Sequence, residues 1–251
     1  MSASAAFISI KWYGNSSNSI SMRGILIIGT DTGVGKTFIA AALARAFHSR
    51  GIDVGVMKPF AAARRTFSRK YRSEDTAILA RAAQSKDSDT EINSYFYTVP
   101  AAPYVASAVT QEEKVSISAV LDAYRHLAAK HDIMIIEGIG GLMVPLTESE
   151  TFADFAKILN VPTIVVARCS IGTFNHTLQT LSVSKTYDLD VMGLIMNGYP
   201  RRQRAEDRQL ITAVKRLAAV EVLCVVPKIT GNTIRFRLKD IVVDRILEIC
   251  N

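Results

Sequence analysis

Short apolar runs alternate along this chain with longer segments whose apolar residues recur every three to four positions. The runs occupy residues 24–28, 54–58, 133–137, 163–167, 191–197 and 222–226 and are rich in Ile, Val, Leu and Met. Strands apolar on both faces belong inside a parallel sheet covered by helices. Helical periodicity marks residues 36–50, 74–84, 117–130, 152–159, 173–186 and 205–218, so strand and helix patterns alternate from one end to the other. That alternation predicts a single α/β domain with a mostly parallel sheet and helices on both faces. Residues 91–111, which include Pro100 and Pro103, lack a helical period and read as a loop or short edge strand facing a substrate.

The first apolar run leads directly into Gly29-Thr30-Asp31-Thr32-Gly33-Val34-Gly35-Lys36-Thr37, which fits the phosphate-binding pattern G-x-x-x-x-G-K-[ST]. Glycines here let successive backbone N–H groups turn inward around phosphate oxygens, and the helix that follows presents its positive end to the same charge. The fold expected is therefore a P-loop NTPase-like one. A nucleoside triphosphate is the expected ligand, held by Thr32, Gly33, Val34, Gly35, Lys36, Thr37 and Phe38. Lys36 reaches the outer phosphates, and the Thr37 hydroxyl binds Mg²⁺.

Three further positions carry candidate chemistry. The run 133–137 ends in Glu137, followed by Gly138-Ile139-Gly140-Gly141, a strand-end carboxylate placed to complete a Mg²⁺ shell. Lys58 ends the second run and is followed by Pro59, which restricts the residue before it. A cation there faces the γ-phosphate from the side opposite Lys36. Asp75 lies in Ser73-Glu74-Asp75, where Ser73 fits a helix cap and both acids suit a helix's positive end. Lys58, Glu137, Arg168 and Asn197 all stand at carboxyl ends of strands, where open α/β sheets bind ligands.

The chain has 251 residues, is 49% hydrophobic and carries a net charge of +7. Its basic clusters, Arg64, Arg65, Arg69, Lys70 and Arg72, and Arg201, Arg202, Arg204 and Arg208, lack the interleaved aromatic residues of a nucleic-acid module, and no nucleic-acid partner is expected. No apolar run approaches the roughly 20 residues needed to span a bilayer, so no membrane partner is expected either. Three dispersed cysteines support neither a disulfide framework nor a zinc site and fit a reducing, cytoplasmic setting. Residues 1–21, rich in Ser and without an acid, read as a disordered or dispensable tail before Met22, leaving residues 22–251 as the domain.

Gly29 to Thr37, Lys58-Pro59, Glu137-Gly138-x-Gly140-Gly141 through Pro145-Leu146, and Asn175-His176 recur in this order in the dethiobiotin synthetases, which the chain resembles from about Arg23 to Pro227. The resemblance implies an ATP- and Mg²⁺-dependent cyclo-ligase that takes CO₂ or bicarbonate and closes the ureido ring of dethiobiotin from 7,8-diaminononanoate. It implies Lys36 and Lys58 as catalytic cations, Thr37, Asp75 and Glu137 as Mg²⁺ ligands, Asn197 as the reader of adenine and Pro227 as the closure of the base pocket. Gly140 and Pro100 fall at substrate positions. Asn175 belongs to a segment that in the family reaches the substrate from the other subunit, implying a homodimer. The chain departs from the family in carrying Ala101 and Ala102 where hydroxyl residues are common, and in lacking an aligned tyrosine for the substrate carboxylate. Two readings from other groups share the P-loop: an amidating ligase of the cobyrinate type, and a ParA/MinD-like positioning ATPase.

Overall fold

In the computed structural model, residues 24–229, 236 and 238–250 are described; the tail expected at residues 1–21 lies outside them. β1 (Gly24–Gly29) is fully buried and leads through the P-loop into α1 (Lys36–His48). β2 (Val54–Met57) and β3 (Phe60–Ala62) precede α2 (Glu74–Ala83) and α3 (Asp89–Ile92). β4 (Tyr95–Tyr97), α4 (Pro103–Thr110), α5 (Ile117–Ala128) and β5 (Ile133–Glu137) follow. The second half runs α6 (Phe152–Leu159), β6 (Thr163–Arg168), α7 (Thr173–Thr186), β7 (Val191–Tyr199), α8 (Ala205–Leu217), β8 (Val222–Pro227) and α9 (Asp240–Cys250).

The six expected strands form one sheet in the order β2-β5-β1-β6-β7-β8, with every pairing parallel. Alternate residues of each strand face opposite layers, which is how uniformly apolar runs divide two cores between them. Ile25, Ile27, Val54, Val56, Ile133 and Ile135 pack with α1, α2 and α9. Leu26, Ile28, Met57, Met134, Ile136 and Val165 pack with α5 and α6 on the other side. Burying one such side chain contributes about 2 kcal/mol, so the central strands form a rigid base for whatever their carboxyl ends carry.

Residues 91–111 contain the short edge strand expected, β4, which pairs in parallel with β3 as a separate two-stranded sheet, but also the end of α3 and the whole of α4, which were not expected. No helical period is visible there because the helices are four and eight residues long. Local signals start both: Ser88 and Glu91 form a reciprocal capping box before α3, and Pro103 occupies the first turn of α4. Phe60 of β3 packs edge-on against Phe152 and Phe155 of α6, with ring centroids 6.2 and 5.7 Å away, which docks this small sheet beside the end of β5. Ser73 occupies the N-cap of α2, but its hydroxyl makes no capping hydrogen bond. Among the described residues, no helix is long and apolar enough to cross a membrane.

Candidate active site

The P-loop leaves β1 at the centre of the sheet. Thr30 N–H donates to Val166 O at 3.0 Å, which ties the loop to β6. Gly33 and Gly35 have φ of 72° and 99°, a left-handed backbone that side chains rarely adopt. A Cβ on Gly35 would stand 2.1 Å from Asn197 Nδ2, so the position has neither conformational nor steric room for one. Asp31 Oδ1 accepts from Thr32 N–H at 2.7 Å, while its other oxygen meets Arg168 at 2.9 Å.

Lys36 is 6% exposed, and its ammonium group donates to Asp31 O at 3.0 Å and Gly140 O at 2.9 Å. Burial, reinforced by the nearby Lys58 charge, pushes it down to about 8. Carbonyl oxygens thus hold this cation in readiness, with no carboxylate bonded to it.

Lys58, just past the end of β2, is 4% exposed. Its Nζ lies 2.6 Å from Glu137 Oε1, 3.1 Å from Gly138 O and 3.1 Å from Asp75 Oδ2. Burial alone would lower its pKa, but Glu137 and Asp75 outweigh that and hold the ammonium charged above its ordinary range. Burial raises the Glu137 carboxyl above the usual carboxylate range. Burial would also raise Asp75, but Lys58 and the Thr37 hydroxyl hold it below that range.

Thr37 Oγ1 stands 2.7 Å from Glu137 Oε1 and 2.9 Å from Asp75 Oδ1. A hydroxyl has one proton, so it satisfies one of these oxygens at a time. Glu137 Oε2 is buried without a hydrogen-bond partner. Two carboxylates and a hydroxyl converging in this way fit Mg²⁺, a hard cation that completes its shell with water and phosphate oxygens. Among the described residues, no cluster of three or more His, Cys, Asp or Glu offers a different metal set.

These groups line a cleft of about 560 Å³. Thr32, Gly33, Gly35, Lys36, Thr37, Lys58, Asp75, Glu137, Gly140 and Pro100, all expected from sequence, lie on its wall. Ala101 and Ala102, expected near the substrate, are on the wall as well, and Phe60, Ala61, Ala62, Ile139 and Val144 add apolar surface that the sequence did not single out. Val34 is buried and takes part through its carbonyl, which accepts from Asn197 Nδ2 at 2.8 Å. Phe38 meets Phe236 in a tilted ring pair, with centroids 4.9 Å apart. Pro227 is exposed at the end of β8, and Asn175 is exposed on α7, off the cleft wall.

One residue essential to this arrangement was not singled out from sequence. Asn93 is fully buried, and its Nδ2 donates to Lys58 O at 2.7 Å and Tyr95 O at 3.0 Å, while Lys58 N–H donates to Ile92 O at 2.8 Å. An isolated asparagine after a one-turn helix carries no pattern that would reveal this. Asn93→Ala leaves the Lys58 carbonyl without its partner, so the variant is expected to lose about 2 kcal/mol of stability. Turnover should also fall as Lys58 loses its fixed position. A melting temperature equal to wild type would contradict this role.

Residues 23–233 match the family model described as AAA domain. The ATP-dependent dethiobiotin synthetase BioD of Nitrosopumilus maritimus is 38% identical over 205 residues, covering 79% of this chain and 89% of the relative. The protein of the same name from Bacillus subtilis strain 168 is 35% identical over 222 residues, covering 87% and 94%. Among solved structures, the MinD cell division protein of Aquifex aeolicus superposes with a TM-score of 0.53 at 13% identity, covering 90% of this chain and 96% of that one. A ParA family ATPase from Chlorobium tepidum superposes with a TM-score of 0.50 at 15% identity, covering 88% and 96%. These structural likenesses establish the P-loop fold.

Proposed function

The chain belongs to the ATP-dependent dethiobiotin synthetase family, and we propose that it closes the ureido ring of dethiobiotin from 7,8-diaminononanoate, CO₂ and ATP with Mg²⁺. It is an ATP-dependent ligase of biotin biosynthesis. The observation that carries the finer reading is the gathering of Lys36, Lys58, Thr37, Asp75 and Glu137 on the wall of a cleft that Phe60, Ala61, Ala62, Ala101, Ala102, Ile139 and Val144 also line. That polarity suits a substrate with amines at one end and an aliphatic chain behind them.

In this reading one amine adds to CO₂ and loses a proton, forming a carbamate. A carbamate oxygen takes the γ-phosphoryl group of ATP, releasing ADP. The second amine then attacks the carbonyl carbon of the mixed anhydride, which expels phosphate and closes the ring. Thr37, Asp75 and Glu137 would hold Mg²⁺, which supplies neutralisation of phosphate charge. Lys36 turns from carbonyl oxygens to phosphate oxygens, and Lys58 lies within reach of the carbamate. Charge on the peripheral oxygens grows during transfer, and fixed cations in a site with little water stabilise it more strongly than solvent does. Asn197, adjacent to the P-loop, would read adenine and Pro227 would border the base. The exposed Ile171 and Leu178 beside Asn175 support a homodimer in which that segment meets a partner subunit. A cytoplasmic location agrees with the chemistry.

ADP release measured with 7,8-diaminononanoate and bicarbonate, each omitted in turn, tests the proposal. Release should need both; turnover that ignores the diamine would sink it, and dependence on DNA or lipid instead would favour a positioning ATPase.

Lys36 also predicts a pH dependence. With its free value near 8, bound polyphosphate raises it, so above that pH each ATP that binds must bring a proton with it. Affinity for ATP should fall by up to about tenfold per unit as pH rises beyond 8. Lys36→Arg, which stays charged, should lack this fall. Calorimetric titration across pH 7 to 10 reads both.

A further inference from the structure

The cation-binding corner already holds a cation of the protein's own. Lys58 Nζ bridges Glu137 Oε1 and Asp75 Oδ2, and those two carboxylates are the ones the Thr37 hydroxyl approaches. The ammonium, 2.6 Å from Glu137 Oε1 and 3.1 Å from Asp75 Oδ2, takes the Glu137 oxygen that Thr37 also approaches and the Asp75 oxygen that Thr37 does not, so a divalent ion binding Glu137 Oε1 would compete with it there. The local charge is balanced, since Lys36 and Lys58 face Asp75 and Glu137. Adding a divalent ion alone would leave two uncompensated positive charges in a buried site, an arrangement that low local polarity makes costly. Arriving with a nucleoside triphosphate, the same ion brings excess negative charge, which Lys36 and a displaced Lys58 can meet.

We propose that the Lys58 ammonium is the resident cation of the nucleotide-free site, excluding free divalent ions until a nucleoside triphosphate arrives and then moving from the carboxylates to the reacting anion. Asn93 and Ile92 hold the Lys58 carbonyl and N–H, so the exchange is left to the side chain: its contacts to Glu137, Gly138 O and Asp75 are non-covalent, and rotation about the four-carbon stem can trade them for others. Lys58 is thereby a positioning residue for the metal as well as a cation for the reaction. The proposal rests on reading Thr37, Asp75 and Glu137 as the metal site.

Mn²⁺ is the probe, followed by its paramagnetic resonance signal and by calorimetry on the full chain without nucleotide. Lys58→Met leaves two carboxylates without their cation, so it should bind Mn²⁺ roughly a hundredfold more tightly than wild type, while Lys58→Arg should remain weak. Lys58→Met binding Mn²⁺ no more tightly than wild type would overturn the proposal. Should Lys58→Met fail to fold alone, recovery of a cooperative melting transition on adding Mn²⁺ supports the exchange, and no recovery refutes it. The metal site is checked separately with Glu137→Gln. If that variant binds ATP with the wild-type dependence on Mn²⁺, the metal reading itself fails and the proposal with it.

Discussion

Glu137→Gln is expected to lower ATP-dependent ring closure by roughly a thousandfold while the protein still unfolds cooperatively. Gln keeps the shape of the side chain at the end of β5 but removes the charge that Thr37, Asp75 and Lys58 are arranged around. Two effects on stability oppose each other. The substitution relieves a carboxylate whose burial disfavours ionisation, and it takes from Lys58 its nearer anion, leaving Asp75 at 3.1 Å. Breaking a buried pair generally outweighs relief of one partner, so a net loss of about 2 kcal/mol is expected. Glu137→Ala adds an empty space at a position that is 1% exposed and should be less stable again, with a similar loss of turnover. Thermal melting beside steady-state ADP release separates the two consequences. Wild-type turnover in a well-folded Glu137→Gln protein would remove this residue from the site.

The elements legible in the sequence are those with long, uninterrupted signals. All six strands of the main sheet fall within a few residues of their apolar runs, because burial on both faces demands continuous apolar sequence. The P-loop, Glu137 and Lys58 are legible for a related reason: each stands at the carboxyl end of one of the neighbouring strands β1, β5 and β2, and the sheet brings strand ends together whatever the connections do. Asp75 joins them from the first turn of α2, a placement that charge at a helix start alone does not specify. β3 escapes notice, and β4 is legible only as a short strand somewhere in residues 91–111, because three-residue strands leave no measurable alternation. Asn93 escapes because its function lies in backbone carbonyls that only the folded chain brings to it. Asn197 was expected to read adenine, and its position beside Gly35 supports that reading, but its amide is also a brace for the loop through Val34 O. A residue with two duties is visible to sequence only through the one that makes a pattern.

Lys36→Ala should be the reverse case, in which function and stability part. The kcat/KM for ATP is expected to fall by roughly a thousandfold, about 4 kcal/mol of lost transition-state stabilisation, because no other cation faces the phosphates from within the loop. Stability should hold or rise. The Lys36 ammonium is desolvated among carbonyls, and its value near 8 lies below the ordinary 10.5. A base whose folded value is depressed destabilises the folded state while it is charged. That penalty is fully present below pH 8 and disappears as pH rises through 10.5, because over that interval the unfolded chain binds the extra proton. The depression corresponds to about 3 kcal/mol, part of which Lys36→Ala recovers at neutral pH, less the lost packing of the side-chain stem. Wild type should therefore gain stability between pH 8 and 10.5 relative to Lys36→Ala, and at the alkaline end it should lead the variant by the packing of the side-chain stem. A variant that is both inactive and several kcal/mol less stable at pH 7 would mean that Lys36 holds the loop together through Asp31 O and Gly140 O more than it waits for phosphate. The pH series decides between these roles: a difference that shifts toward wild type between pH 8 and 10.5 marks a strained cation kept for its ligand, and a constant gap marks a structural one.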